Sequence, residues 1–244
     1  MTSAAAERPG IVTTDFHCHV LPGADHGSAN VATSLRQLQL LRRAGVERLV
    51  VTPHFYPDKT GVERFLRKRE SCLRALLEAL PNEPFPTILT GAEVLLVEEL
   101  DEMEGLSKLC VSGTNVLLLE LPLRRLTERL TDTVERLTER RDLHIVLAHI
   151  ERYPVKEINA LLELPLQAQV NAPAFLRLFG KKRFLRLLDE GKLVALGSDL
   201  HGDDETASGR FRSACAKLGE KRLTALMAAT DALLEGAEIA YCPQ

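Results

Sequence analysis

Seven apolar runs separated by segments with helical periodicity constrain the fold more than any other feature of this sequence. The runs lie at 11–16, 46–52, 87–92, 116–121, 144–148, 166–170 and 193–197. Strands that are apolar along almost their whole length are buried on both faces, as in parallel sheets. Seven βα units in succession favour closure into a barrel over an open doubly wound sheet. We therefore predict an α/β fold with a (β/α)7 barrel.

The segments between the runs carry helix start and stop signals. Apolar residues at helical spacing predict helices at 31–43, 60–80, 126–137, 157–162 and 174–190, with mostly helical sequence after residue 197. Gly45 and Gly191 are expected to end the helices that precede them. The stretch Thr60-Gly-Val-Glu63 has the pattern of a capping box, which would open the second helix.

Length and composition limit the classes of function. The chain has 244 residues, 45% of them hydrophobic and 27% charged, which suits one soluble domain at 11–244 behind a flexible lead at 1–10. The net charge of −3 does not indicate the excess of basic residues that is typical of nucleic-acid-binding proteins. The first residues lack the apolar core of a secretory signal, and no stretch is long enough to span a membrane. Five cysteines without a CxxC pair indicate reduced thiols. We expect a cytoplasmic protein without membrane insertion.

Residue types that bind metals stand at the ends of the predicted strands. In chain order they are His17, His19, His54, Glu93, Glu120, His149, Asn171, Asp199 and His201. In a parallel α/β barrel the carboxyl ends of all strands lie on one rim, so these residues would converge there. Taken singly, Glu93 could cap a helix, His149 could be a core histidine and Asp199 could be a turn residue. Five of the seven histidines in one such set favour a metal centre instead.

The donor types indicate which metals such a centre would hold. Alternation along the first strand places His17 and His19 on one face, so both imidazoles can meet one ion. Imidazoles mixed with carboxylates, without a thiolate cluster, suit Mn²⁺, Fe²⁺ or Zn²⁺. Eight or so donors exceed what one ion takes, so we predict two or three ions, with Glu93 placed to bridge. Metal pairs of this kind generate hydroxide at neutral pH and stabilise in-line displacement at phosphorus.

Six stretches of this sequence resemble the polymerase-and-histidinol-phosphatase (PHP) superfamily, and more narrowly its bacterial protein-tyrosine phosphatases of the CpsB/YwqE type. They are Asp15-Phe-His-Cys-His-Val-Leu-Pro-Gly23, Val51-Thr-Pro-His54, Gly91-Ala-Glu93, Ala148-His-Ile-Glu-Arg-Tyr-Pro154, Val170-Asn-Ala172 and Gly197-Ser-Asp-Leu-His201. The resemblance runs from about residue 15 to residue 201 in the family's order. It implies a distorted (β/α)7 barrel of the PHP type and a manganese-dependent trinuclear site. It also implies that the substrate is a phosphotyrosine protein. That protein would be a partner bacterial tyrosine autokinase linked to capsule or exopolysaccharide synthesis.

The resemblance also implies residue roles. The family's metal ligands match His17, His19, His54, Glu93, Glu120, His149, Asp199 and His201, and Arg152 matches an arginine that contacts phosphate. The family's Asp-Asp-Gly reads Asp25-His-Gly27 here, so an imidazole replaces a carboxylate ligand. We predict that His26 is still a ligand and that the site serves Mg²⁺ poorly. The usual His-Pro-Glu-Arg reads His149-Ile-Glu-Arg152, which we expect to be tolerated.

Other phosphatase chemistries lack their motifs here. No cysteine is followed five residues later by arginine, as a cysteine-dependent tyrosine phosphatase requires, and there is no GxSxG or GxxxxGK[ST] stretch. We therefore expect direct attack by a metal-bound hydroxide, with Arg152 clamping the phosphate oxygens. His201 or a metal-bound water is the candidate general acid, and Arg210 is either a second phosphate contact or a surface arginine.

Three alternatives stay open from the sequence. A histidinol phosphatase or another small phosphomonoesterase would share the site. A hydrolase of the amidohydrolase type also begins with HxH, but it usually has a carbamylated lysine at the fourth strand, where Glu120 stands. A catalytically silent metal-binding partner of a kinase is disfavoured, because Arg152 and the full donor set are both present. The oligomeric state does not follow from the sequence.

Overall fold

The computed structural model describes residues 12–202 and 204–243. The predicted lead at 1–10 and the expected start of the first strand at Ile11 lie outside these residues. Ten strands and seven helices follow along the described chain. They are β1 Thr14–Cys18, α1 Val31–Arg43, β2 Arg48–Val51, β3 His54–Phe55, α2 Val62–Glu78, β4 Thr87–Thr90, β5 Glu93–Leu95, β6 Val116–Glu120, α3 Glu128–Glu139, β7 His144–Leu147, α4 Val155–Leu161, β8 Gln167–Asn171, α5 Pro173–Leu176, α6 Lys181–Asp189, β9 Leu193–Gly197, α7 Glu205–Leu233 and β10 Ile239–Tyr241.

The strands form two sheets whose members are parallel except for the last strand. One sheet has the order β1-β2-β4-β10, with β10 antiparallel to β4, and the other has the order β3-β5-β6-β7-β8-β9. The chain after β9 also reaches β1, because the Asp199 amide donates to the His17 carbonyl at 2.8 Å and the His19 amide donates to the Leu200 carbonyl at 3.1 Å. These bonds bring the end of β9 beside the end of β1.

A strand lies within or across each of the seven predicted runs, and two of those runs end in breaks that the sequence reading missed. Pro53 has no N–H to donate, so β2 stops and β3 begins anew at His54. A second break at Gly91 separates β4 from β5. The short strands β3 and β5 then pair with His54 directly opposite Glu93. The breaks therefore place two predicted ligands side by side.

Two helix predictions need correction. The single helix expected at 174–190 is wrong, because α5 ends at Leu176 and α6 starts only after Gly180, whose φ of 88° is left-handed. The capping box at 60–63 is also wrong: Gly61 is the N-cap of α2 without a side-chain hydrogen bond, and Glu63 pairs with Lys108 instead. Helix α1 has the predicted bounds, with the Asn30 side chain accepting from the Thr33 amide.

The apolar side chains divide into two clusters on opposite faces of the strands. The larger lies between strands and helices, and the smaller contains inward residues such as Phe16, Val50 and Val146, with exposures of 2% or less. Burial on both faces explains why the strands are apolar throughout. Helix α7 packs against β9 and is interrupted at Gly219 by a φ of 72°. Within the described ranges, no helix is long and apolar enough to cross a membrane.

Candidate metal centre

The structure brings eight of the predicted donor residues together at the carboxyl ends of the strands. Glu93, at the start of β5, lies at the middle: its Oε2 is 3.2 Å from His17 Nε2, 3.3 Å from His19 Nε2 and 2.9 Å from His54 Nδ1. Its other oxygen, Oε1, lies 2.7 Å from His149 Nε2. One carboxylate therefore contacts four imidazoles from three segments of the chain, which is the position of a bridging ligand.

The donors form four overlapping groups whose ligand atoms lie within 4.8 Å of one another. The groups are His19, His54 and His201; His17, Glu93 and His149; His17, His19 and Asp199; and His54, Glu93 and Glu120. Because His17, His19, His54 and Glu93 each belong to two groups, the sites share ligands. Shared ligands are what a centre with two or three close ions requires.

Unpartnered buried atoms test whether this cluster fits metal ions. The Nδ1 atom of His54, the Oε2 atom of Glu93 and the Nε2 atom of His201 are buried and have no hydrogen-bond partner. The Nε2 atoms of His17 and His19 also face each other at 3.0 Å. Leaving buried polar atoms unpaired costs free energy, whereas coordination to a cation would satisfy them. The cluster therefore fits metal ions of the kind that imidazole and carboxylate ligands hold.

Two of the donors stand on strained backbone. His149 and Asp199 have φ of 33° and 51°, and besides Glu99 they are the non-glycine residues with positive φ in the described ranges. Each lies two residues after the end of a strand, His149 after β7 and Asp199 after β9. Strained conformations of this kind persist only where the surroundings hold them, and they concentrate at functional sites. Here the strain aims both side chains at the cluster.

A buried hydrogen-bond network holds these two residues in place, and the sequence reading missed its central member, Gln169. Its Oε1 atom accepts from the His149 amide at 2.6 Å, and its Nε2 atom donates to Asn171 Oδ1 at 2.9 Å. Asn171 in turn donates to Asp199 Oδ2 at 3.0 Å. Gln169 and Asn171 are two residues apart on β8, so they share a face. The signal available in the sequence was a glutamine on a predicted strand, two positions before a predicted site residue.

Asp25, which the sequence reading did not include, orients His19 from the loop after β1. The carboxylate accepts from His19 Nδ1 at 2.8 Å, from the His54 amide at 2.9 Å and from the Gly27 amide at 2.7 Å. The hydrogen bond from His19 Nδ1 to Asp25 points Nε2 of His19 toward the cluster. Only glycine fits at position 27, because a Cβ atom there would lie 2.1 Å from the Cβ of His19. The loop and the ligand are thus packed without spare room.

The predicted ligand His26 lies at the edge of the cluster. It is exposed, and its ring stacks on those of His54 and His201 at centroid distances of 4.7 and 4.8 Å. Burial and the neighbouring histidines lower the pKa of His26. It is not a member of the four donor groups in the described chain. Its role as a ligand stays a prediction.

The two predicted catalytic residues both contact Asp199. Arg152, in a short 3₁₀ helix at Ile150–Arg152, forms an ion pair with Asp199 and is 41% exposed. The Nδ1 atom of His201 lies 3.1 Å from the Asp199 carbonyl oxygen and 3.3 Å from its Oδ1. Arg210 instead pairs with Asp204 and the Thr206 hydroxyl at the start of α7. A contact of Arg210 with phosphate stays a prediction.

Mutual electrostatic influence shifts the pKa values of the cluster. Burial alone would lower the pKa of His17, but the charge of Glu93 outweighs it and raises this pKa to about 9. Burial would raise the pKa of Glu93, yet His17 and the hydrogen bonds from the imidazoles hold it well below its usual range. Burial, followed by the charge of Glu93, raises the pKa of Glu120 to about 7. The cluster therefore carries protons on nitrogens that metal ions would displace.

Fold and cluster together define a parallel α/β protein with a histidine- and carboxylate-rich site that could hold metal ions. Residues 13–234 match the family described as capsular polysaccharide synthesis, CpsB/CapC. The chain therefore belongs to the CpsB/CapC family, which confirms the resemblance seen in its motifs.

Known relatives agree with this assignment. The chain is 27% identical over 208 residues to the tyrosine-protein phosphatase YwqE of Bacillus subtilis, covering 77% of this chain and 76% of that protein. It also matches a chain from the crystal structures of YwqE from Bacillus subtilis and CpsB from Streptococcus pneumoniae, described as unique metal-dependent tyrosine phosphatases. That match has a TM-score of 0.70 and 22% identity over 93% of this chain and 96% of the other.

A more distant structural match is a β-aspartyl dipeptidase from Fervidobacterium islandicum, with a TM-score of 0.51 and 10% identity over 93% of this chain and 75% of that one. This likeness shows the fold alone. Glu120 ends β6, where the amidohydrolase alternative would have a lysine.

Proposed function

We propose that this protein is a metal-dependent protein-tyrosine phosphatase. The observation that carries the proposal is the set of four overlapping donor groups centred on Glu93, in a chain of the CpsB/CapC family. The similarity to a curated tyrosine-protein phosphatase supports the same activity. As its physiological substrate we propose a phosphotyrosine protein, a bacterial tyrosine autokinase tied to capsule or exopolysaccharide synthesis.

The proposed ligands are His17, His19, His54, Glu93, Glu120, His149, Asp199 and His201, with His26 as a further ligand from the rim. We propose Mn²⁺ as the ion, in two or three copies, with Fe²⁺ or Zn²⁺ as substitutes, because imidazole and carboxylate donors suit these borderline ions. The closed (β/α)7 barrel, the single domain at 11–244 and the cytoplasmic location belong to this proposal too.

Bound ions would supply Lewis acidity toward water and the phosphoryl oxygens. Arg152 would bind the non-bridging oxygens through its planar guanidinium, which its partial exposure leaves accessible. Asp199 holds the Arg152 side chain at the cluster until phosphate competes for it. Burial would lower the pKa of His201, but hydrogen bonding to Asp199 raises it above its ordinary value. His201 would thus hold a proton at Nδ1, beside Asp199, which leaves Nε2 for an ion, and this Nδ1 proton is the one that His201 could pass to the departing phenolate.

Four of the five cysteines do not offer a competing nucleophile. Burial raises the pKa of the Cys18 thiol well above its usual range and raises those of Cys110 and Cys215 to about 12. Burial also raises the pKa of Cys72. Thiols in such surroundings stay protonated, and the thiolate is the reactive form.

The test compares a phosphotyrosine peptide, a phosphoserine peptide and histidinol phosphate as substrates, with and without alkylation of the thiols. We expect hydrolysis of the phosphotyrosine peptide, little effect of alkylation, and a loss of tenfold or more in kcat/KM for Arg152→Ala at normal metal content. One lost charge-assisted contact is worth roughly 1.5–3 kcal/mol. A preference for histidinol phosphate, or inactivation by alkylation alone, would overturn the proposal.

A further inference from the structure

A recess of about 560 Å³ opens directly beside the metal centre. It shares His26 and His54 with the centre, and the loop after β3 and the first half of α2 form its other side, through Tyr56, Lys59, Arg64 and Lys68. A volume of this size accommodates a side chain together with adjoining backbone. Whatever occupies the recess therefore lies next to a group bound at the cluster.

Positive charge without a partner marks the outer wall of the recess. Lys59, Arg64 and Lys68 are exposed, and in the part of the chain that the structure describes, none of them forms an ion pair with a carboxylate. Lys59 instead lies over the ring of Tyr56, with Nζ 4.1 Å from its centroid. Elsewhere on α2, by contrast, Glu63 is neutralised by Lys108. The three cations of the wall are available to an anion.

The one carboxylate that lines the recess is already engaged. Asp25 accepts hydrogen bonds from His19, from the His54 amide and from the Gly27 amide. Its charge is thus directed to the metal centre and does not neutralise the opposite wall.

The start of helix α2 adds to the positive potential. The helix begins at Val62, its N-cap Gly61 contributes no side-chain hydrogen bond, and both Thr60 and Arg64 line the recess. Amide groups in the first turn of a helix carry partial positive charge, which favours anions. Three cations and this helix end act on the same volume.

Aromatic rings line the inner part of the recess. Tyr56 stacks on His54 with ring centroids 5.3 Å apart, and Phe65 is buried beneath with 7% exposure. Such surfaces give an extended peptide apolar area between its charged positions. The recess therefore combines an apolar base with a cationic wall.

We propose that this recess binds an anionic side chain of the protein substrate, a carboxylate or a second phosphate, within a few residues of the phosphotyrosine. This inference rests on the proposed function, because it assumes that the phosphotyrosine occupies the adjoining cluster. An extended peptide advances about 3.3 Å per residue, so a neighbouring side chain reaches from the cluster into the recess. The recess thereby selects acidic or multiply phosphorylated segments.

The experiment uses the metal-loaded protein and three peptides that differ beside the phosphotyrosine: glutamate, glutamine or a second phosphotyrosine. The variant Arg64→Gln/Lys68→Gln removes two charges from the wall. Arg67→Gln/Arg74→Gln is its matched control, because both arginines are exposed on the same helix outside the recess. We expect wild type to favour the glutamate peptide over the glutamine peptide about tenfold in kcat/KM, which is about 1.4 kcal/mol.

The recess variant should lose this preference and the control should keep it. A larger preference for the doubly phosphorylated peptide would identify phosphate as the favoured anion, and equal preferences would mean that any anion serves. Equal rates on all three peptides, or equal loss in the two double variants, would overturn the inference while leaving the phosphatase activity established.

Binding of the same peptides with a non-hydrolysable phosphonate in place of the phosphate separates the two claims. If no peptide is hydrolysed, the proposed function fails. A retained preference for the glutamate phosphonate peptide, lost in the Arg64→Gln/Lys68→Gln variant, would then still assign the anion site, whereas equal affinities would reject it.

Discussion

Replacing Gln169 by leucine should weaken metal binding at the centre, although Gln169 is not itself a proposed ligand. Gln169 is fully buried and makes three hydrogen bonds, from the His149 amide at 2.6 Å, to Asn171 at 2.9 Å and, more weakly, with His17 Nδ1 at 3.4 Å. Leucine leaves these partners unpaired in the interior. Each unsatisfied buried group costs about 1–3 kcal/mol, so loss of the two short bonds alone should lower the free energy of unfolding by roughly 2–6 kcal/mol.

The same change should weaken metal binding. His149 and Asp199 both stand on backbone with positive φ, and Gln169 holds the first directly and the second through Asn171. Loss of residues that orient metal ligands typically costs about 10–100-fold in metal affinity or activity. Urea unfolding measures the stability, and titration of the metal-stripped protein with Mn²⁺ measures the affinity.

Gln167→Leu is the matched control. Gln167 lies two residues earlier on β8 and bonds to His144 and the Gly191 carbonyl, away from the cluster. The Gln167→Leu variant should lose about 1 kcal/mol or less of unfolding free energy and keep the metal affinity of wild type. If Gln169→Leu bound Mn²⁺ as tightly as the control, the network would not position the ligands.

Three further perturbations probe the centre. Gly197→Ala should lower metal content, because the new Cβ atom would lie 2.6 Å from the Cβ of His17. Gly209→Ala is the control and should retain metal, because a Cβ atom there meets open space. Equal metal content in the two variants would contradict the packing argument. If His26 is a ligand, His26→Ala lowers metal content and activity, and a variant equal to wild type on both would refute that role. Since the pKa of His17 is raised to about 9 without metal, binding must displace its proton below that pH, so Mn²⁺ affinity should rise on the order of tenfold per unit from pH 6 to 8. Titrations across this range check the last point, and a flat profile would contradict it.

The strands and the donor residues were predictable because each leaves a signal in the local sequence. Continuous apolar runs identified the strand positions, and the bounds of α1 followed from its apolar spacing and from Gly45 after its end. The helix expected at 174–190 failed because apolar spacing continues through Leu178 and Phe179, which are in fact 88% and 87% exposed. Periodicity does not distinguish an apolar residue that packs from one that faces solvent.

The supporting residues of the site were less predictable. Gln169 and Asp25 act on ligands that lie 6 to 152 positions away in sequence, so only the folded chain reveals their partners. The breaks at Pro53 and Gly91 likewise make sense only once β3 and β5 pair. Donor types can be read from a sequence, whereas the hydrogen bonds that aim them depend on tertiary contacts.

Removal and restoration of metal would show whether the cluster around Glu93 is the catalytic centre. The protein is stripped with a chelator, assayed on a phosphotyrosine peptide, and then given Mn²⁺, Fe²⁺, Zn²⁺ or Mg²⁺ separately. We expect no activity in the stripped protein, the greatest recovery with Mn²⁺, partial recovery with Fe²⁺ or Zn²⁺, and little with Mg²⁺. Full activity in the stripped protein, with no metal left by elemental analysis, would contradict the claim that the cluster around Glu93 is the catalytic centre.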